Sequence, residues 1–287
     1  MKEQVKSIVY EEFLKLTEAI EGDFKTNYVR KINNFLLSQM DAQITANMVF
    51  VSSFESKSGF AIEACAKRIA RLRFGEENVP AIVNPRGLTH DIDPHTISNQ
   101  IVVTDVDTFN GNLRGKIAAF RANNEAKGRG RDRIESSVTQ ETIKEYLLPL
   151  ANEYRTSNIY SKPVDLAFYD GKEWNICELK AGGDLDSSNA PSNVEKLLTI
   201  YVDMGISNCK AYFATLYNKD GEGNVWKGAV KKHLNYPSMF LIGSVLWNKI
   251  LPYGISFNDF THIYKEALDE IGLNERIKIM IKECLEV

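Results

Sequence analysis

The chain has 287 residues, 44% of them hydrophobic and 25% charged, with a formal net charge of −3 and an isoelectric point near 5.9. That is the composition of a globular chain able to bury a sizeable core as one large domain or two small ones. It excludes a polybasic nucleic-acid binder and, with no apolar run of bilayer length, a membrane-spanning helix, so any site for a polyanion must be a local patch.

The chain opens as a helical pair. Apolar residues recur at helical spacing through Val5, Ile8, Val9, Phe13, Leu14, Leu16 and Ile20, and again through Tyr28, Ile32, Phe35, Leu36 and Met40, with Gly22 and Asp23 as the break. The charged, amphipathic start (KEQVKSIVYEEFLKL) is unlike a secretory signal, which makes the cytoplasm the expected location. A third helix is expected after Ser56-Lys57-Ser58-Gly59, capped by serine and running to about Phe74. Residues 78–110 are irregular, broken by Pro80, Pro85 and Pro94, with one strand-like run at 101–104. Within them His90, Asp91, Asp93 and His95 gather metal-ligand residue types at a spacing that matches no zinc pattern. Cys65, Cys177, Cys209 and Cys284 lie far apart without a Cys-x-x-Cys pair, and read as reduced, buried thiols.

Residues 114–133 (RGKIAAFRANNEAKGRGRDR) hold seven Lys or Arg against two acids and end in a glycine-rich loop. Lys127, Arg129, Arg131 and Arg133 in that loop suit DNA phosphates or a guanine edge, although a solvated loop has the same composition. A helix over 137–154 follows, with Pro149 placed to kink or end it. After a hairpin and a polar loop, a helix over 192–204, strands at 209–216 and 239–242, and three short helices complete the chain. Strands flanked by helices imply an α/β fold with a mixed sheet. The expected organisation is a single domain over 1–287, with a helical subregion at 1–50, a core at 51–216 and a C-terminal strand with helices at 217–287.

The hairpin PVDLAFYDGKEWNICELK, residues 163–180, carries the chemistry. Its turn signal is Asp170-Gly171. A loop at 171–172 or at 170–173 sets Asp165 opposite Glu178, whereas a loop at 170–171 sets it opposite Ile176. Every one of these registers leaves Asp165, Glu178 and Lys180 on one face, because they differ by an even number of residues. Val164, Leu166, Phe168, Cys177 and Leu179 form the opposite, core face. Ala167, Tyr169, Trp174 and Ile176 share the charged face, so that side should be covered too. Two carboxylates facing each other on a covered surface need a cation, and a hard divalent ion such as Mg²⁺ suits them. A lysine two residues beyond Glu178 completes the groups that phosphodiester hydrolysis requires.

With Pro163-Val164-Asp165 and Glu178-Leu179-Lys180, the chain resembles the PD-(D/E)xK nuclease superfamily, with Val164 inserted between proline and aspartate. The resemblance implies a restriction-endonuclease-like core, Mg²⁺ held by Asp165, Glu178 and the main-chain carbonyl of Cys177, and a nucleophilic water positioned by Lys180. It also implies a helix-borne acid; Ser58-Gly59-Phe60-Ala61-Ile62-Glu63 resembles that helix and offers Glu63, with Glu55 and Glu141 as alternatives. The run ELKAGGDLDSSNAP is similar to type II restriction endonucleases of the TdeIII and MjaII kind. That similarity implies a short interrupted palindrome of the GGNCC type as target, double-stranded DNA as partner, a homodimer, and a cognate DNA methyltransferase as functional partner. In the loop and helix after the hairpin, Ser187, Asn189 and Asn193 are placed to read bases, Asp184 and Asp186 to accept from cytosine or orient arginines, and Lys196 to touch a phosphate. The alternatives are a structure-specific or repair nuclease of the same fold and a DNA-binding protein without catalysis. No phosphate-binding G-x-x-x-x-G-K-[ST] loop is present, and no ATP requirement is expected.

Overall fold

Burial, rather than local helix breakers, sets the helix boundaries at the amino terminus. The computed structural model describes residues 1–128, 130–182 and 185–286, with the backbone alone of Arg131. Helix α1 (Lys2–Ile32) runs unbroken through Gly22 and Asp23. Its buried positions Phe13, Leu16, Ile20, Phe24 and Tyr28 keep one helical phase across the glycine, which lies exposed on the other side. A mid-helix glycine costs about 1 kcal/mol, and the burial of Phe24 and Tyr28 beyond it outweighs that. After turns at 33–40, helix α2 (Ala42–Phe74) begins where Asp41 accepts from the amides of Gln43 and Ile44 at 2.9 and 3.3 Å. It continues through Ser56–Gly59, so the expected serine cap is interior to a longer helix.

The described chain then forms β1 (Ile82–Val83), β2 (Ile101–Val106), α3 (Gly111–Asn123), α4 (Gln140–Tyr146) and α5 (Leu148–Glu153). The expected helix over 137–154 is thus two, divided at Leu147 ahead of Pro149; a capping box between Thr139 and Thr142 starts the first. Next come β3 (Arg155–Pro163), β4 (Leu166–Tyr169), β5 (Trp174–Lys180), α6 (Ala190–Met204), β6 (Cys209–Thr215), β7 (Phe240–Ile242), α7 (Ser244–Ile250), α8 (Phe257–Ile271) and α9 (Leu273–Leu285). Two compact units result. Residues 1–69 and 250–287 make a helical unit in which α1 packs on α8 and α9, with Phe13 edge-on to Tyr264 at 5.0 Å and Arg68 paired to Glu11 and Glu12.

Residues 70–249 make the α/β unit. It holds two mixed sheets, β1-β2-β3 and β4-β5-β6-β7, flanked by helices. β2 pairs parallel with β1 and antiparallel with β3; β5 pairs antiparallel with β4 and parallel with β6, which pairs parallel with β7. β3 leads into β4 through a break at Val164 and Asp165. Helix α6 packs against β2, β5 and β6, spanning both sheets, and buries Val194, Leu197, Leu198 and Tyr201. It ends at Gly205, whose φ of 57° is a left-handed cap. All four cysteines are free and buried. Among the described residues no helix is long and apolar enough to cross a membrane.

Candidate active site

The hairpin takes the register with a four-residue loop. Tyr169 lies opposite Trp174 and Leu166 opposite Cys177, a register that sets Asp165 across from Glu178. Asp170 closes the loop: its N–H donates to Glu173 O at 3.2 Å, while its Oδ1 accepts from Lys172 and Glu173 N–H, each at 3.1 Å. Both faces are covered, since Leu166, Phe168 and Cys177 on one and Ala167, Ile176 and Glu178 on the other are all fully buried.

Asp165, Glu178 and Lys180 come together, and Lys196 joins them from α6. Lys180 Nζ lies 2.7 Å from Glu178 Oε1, and Lys196 Nζ lies 2.7 Å from Glu178 Oε2 and 3.0 Å from Asp165 Oδ1. Asp165 Oδ2 accepts from the backbone N–H of Leu179 at 2.9 Å, which locks the aspartate to the strand that carries the other two groups. Burial pushes the Glu178 carboxyl above its ordinary value, and the charge of Asp165 adds to the push against the two ammonium groups. For Lys196, burial acts downward, but hydrogen bonding and charge from Glu178 and Asp165 outweigh it and hold the ammonium above its ordinary value.

Gln100 holds the segment containing Asp165 from both ends. Its carbonyl accepts from Val164 N–H at 2.9 Å. Its side-chain oxygen accepts from Ala167 N–H at 2.7 Å, and its side-chain nitrogen donates to Ala167 O at 2.8 Å and Pro80 O at 2.7 Å. β4 is the edge of its sheet, so this amide satisfies Ala167 as another strand would. Gln140 does the same for Ala211 on β6. Neither glutamine stood out in the sequence, because each is matched to a backbone more than sixty residues away.

A fully buried carboxylate beside a second one, with only side-chain ammoniums for compensation, fits a hard divalent cation such as Mg²⁺, for which Asp165 and Glu178 supply the oxygens. Among the described residues no group of three His, Cys, Asp or Glu is arranged to hold a metal ion. Cys177, whose carbonyl was expected as a third oxygen, lies mid-strand, paired with Leu166 and Tyr212. Glu63 lies on α2 in the helical unit, 2.9 Å from Lys67. Glu55 belongs to the same unit, and Glu141 is exposed in the first turn of α4.

Of the residues expected at DNA, Lys127 pairs antiparallel with Ile134 in an isolated bridge. Arg133 binds Glu135 at 3.0 Å and donates to Lys231 O at 3.2 Å. Arg129, the Arg131 side chain and Asp184 lie outside the described residues. Ser187 and Asn189 are exposed, and Asn193 donates to Asn189 O at 2.8 Å. Asp186 accepts from Ser188 and Asn189 and so shapes the turn leading into α6. His90 and Asp93 likewise serve local turns, accepting from Ile92 and His95 N–H.

The family described as "Type II restriction endonuclease, HinfI" matches residues 115–267, just over half of the chain, and the match contains the whole hairpin and α6. Neither a curated protein nor a solved structure matches the chain. With the acidic pair and lysine on one sheet face and that match across them, the chain belongs to the HinfI family of type II restriction endonucleases, enzymes that act on DNA.

Proposed function

We propose that the chain is a Mg²⁺-dependent, site-specific deoxyribonuclease that hydrolyses phosphodiester bonds in both strands of duplex DNA. The observation that carries this is the buried Glu178 set opposite Asp165 and 2.7 Å from Lys180 on one sheet face. Asp165 and Glu178 would hold the ion, which when bound would activate water and neutralise charge on the phosphate. Lys180, next to Glu178 and partly open to solvent, orients the attacking water and stabilises the developing phosphorane charge. Lys196 bridges the two carboxylates, and with an ion held between them its ammonium would be free to meet a phosphate oxygen.

The enzyme acts as a homodimer whose two-fold axis matches the palindrome. Support comes from an exposed apolar stripe on α2, Ile44, Met48 and Val51, beside the exposed Phe35 and Leu36. The target class follows the TdeIII and MjaII resemblance, a GGNCC-type interrupted palindrome, and a methyltransferase modifying that sequence protects the host. Incubation of unmethylated phage DNA with protein and Mg²⁺, beside Lys180→Ala and an EDTA control, tests the proposal. Discrete bands from wild type alone support it and give the target when the ends are sequenced. Cleavage confined to branched substrates points to a structure-specific nuclease of the same fold, and binding without cleavage to a non-catalytic protein.

A further inference from the structure

A cleft of about 670 Å³ opens in the α/β unit, bounded by α3, the start of α6 and residues 227–233. Arg121, Arg133, Lys227, Lys231, Lys232 and His233 line it against one carboxylate, Glu125. Five of these are Lys or Arg, a local concentration of cations in a chain of net charge −3. Glu125 is shared among Arg121, Lys232 and the imidazole of His233. Its Oε1 accepts from Arg121 Nη1 and lies 2.9 Å from His233 Nδ1, and its Oε2 lies 2.9 Å from Lys232 Nζ. One anion gripped by several nitrogen donors is the arrangement a phosphate takes. Lys227 has no side-chain partner among the described residues and projects exposed at the rim.

Two hydrogen bonds fasten this cleft to the catalytic strand and helix. The Trp226 indole N–H donates to Gly182 O at 3.2 Å, two residues beyond Lys180. Arg121 Nε donates to Glu195 Oε1 at 2.9 Å, and Glu195 adjoins Lys196 on α6. Consecutive helix residues point about 100° apart, so α6 turns Glu195 to the cleft and Lys196 to the two carboxylates. The cleft therefore adjoins the catalytic groups.

From this placement we infer that the cleft is a second anion site, which takes the backbone phosphates of duplex DNA flanking the scissile one, and that Glu125 occupies its cations until a phosphate displaces it. The inference rests on the nuclease reading, because duplex DNA lying across Lys180 presents one charge per roughly 1.7 Å of axis to the neighbouring wall. Arg121, held by both Glu125 and Glu195, shapes the floor, while Lys227, Lys231 and Lys232 receive phosphates at the rim.

The test is fluorescence anisotropy of a non-cognate duplex with the full chain carrying Lys180→Ala, titrated with salt in EDTA. Adding Lys227→Ala and Lys232→Ala together is expected to reduce the slope of log K against log [salt] by about 1.8, at roughly 0.9 per lost contact, and to weaken all duplexes alike. Glu125→Gln is expected to tighten binding at low salt and to steepen the slope by about 0.9. Lys227→Glu, at an exposed position without a partner, serves as the variant whose folding is not at risk, and it too must weaken binding. Unchanged slopes in the lysine variants, or binding by Glu125→Gln no tighter than its parent at an unchanged urea midpoint, overturn the inference. Wild type that cleaves phage DNA with Mg²⁺ while the cleft variants bind like their parent defeats the cleft alone. Wild type that cleaves nothing defeats the nuclease reading.

Discussion

Replacing Gln100 tests whether Asp165 is held from outside its own hairpin. Gln100→Leu keeps the apolar volume but removes three side-chain hydrogen bonds, one accepted from Ala167 N–H and two donated, to Ala167 O and Pro80 O. At about 1 kcal/mol net for each bond, with more for the buried N–H left unpaired, the loss is roughly 3–4 kcal/mol. Urea unfolding should report it as a lower midpoint at unchanged m-value. Gln100→Glu keeps the acceptor for Ala167 and loses both donated bonds. Because two of these bonds hold Ala167, two residues beyond Asp165, which also depends on Leu179 N–H, the second readout is the Mg²⁺ concentration giving half-maximal cleavage. It should rise in both variants, with activity recovering at high Mg²⁺. A loss in Gln100→Leu below about 1 kcal/mol together with a wild-type Mg²⁺ requirement would refute the clamp. A stability loss with an unchanged Mg²⁺ requirement would show that Gln100 secures the sheet edge without setting the aspartate.

Three further outcomes are expected. Lys196→Met leaves the buried Glu178 with Lys180 as its remaining cation; stability in EDTA should fall by about 2 kcal/mol, discounted for the partial exposure of Lys196, and return on addition of Mg²⁺, as differential scanning calorimetry will show. Asp203 is raised to about 7 by burial, against the charges of Lys162 and Arg86 and hydrogen bonds from Thr108 and Thr104. The folded state thus binds the extra proton between the unfolded value and about 7, its stability falls as pH rises through that window, and Asp203→Asn should flatten the decline in urea titrations between about pH 4 and pH 7. Gly205→Ala forces a side chain into the left-handed cap of α6 beside Arg86, where the added Cβ would lie 3.3 Å from the guanidinium carbon; a loss of about 1 kcal/mol or more in the urea midpoint is expected.

The hairpin was legible in the sequence because its information is local. A turn signal and a period of two place Asp165, Glu178 and Lys180 on one face for each of the three two- and four-residue loops, and the observed four-residue loop is one of them. The amino-terminal helices were less legible. Gly22-Asp23 and Ser58-Gly59 are local breakers, but Phe24 and Tyr28 continue the buried stripe of α1, and α2 runs on through its serines. Long-range partners left no local trace: Gln100 meets Ala167 across 67 residues and Lys196 meets Asp165 across 31.

Lys196 shows why that distinction matters for function. From its spacing alone it is a helix lysine suited to a phosphate; in the fold it is, with Lys180, one of two cations against a buried glutamate facing an aspartate. Burial and the neighbouring charge of Asp165 push the Glu178 carboxyl upward, and the two ammonium groups act against that push. Lys196, half-buried, bridges the two carboxylates in the protein alone and works against the upward push on Glu178. On the proposed nuclease reading the three hairpin residues supply the chemistry, while Lys196 on the helix that follows bridges the acidic pair.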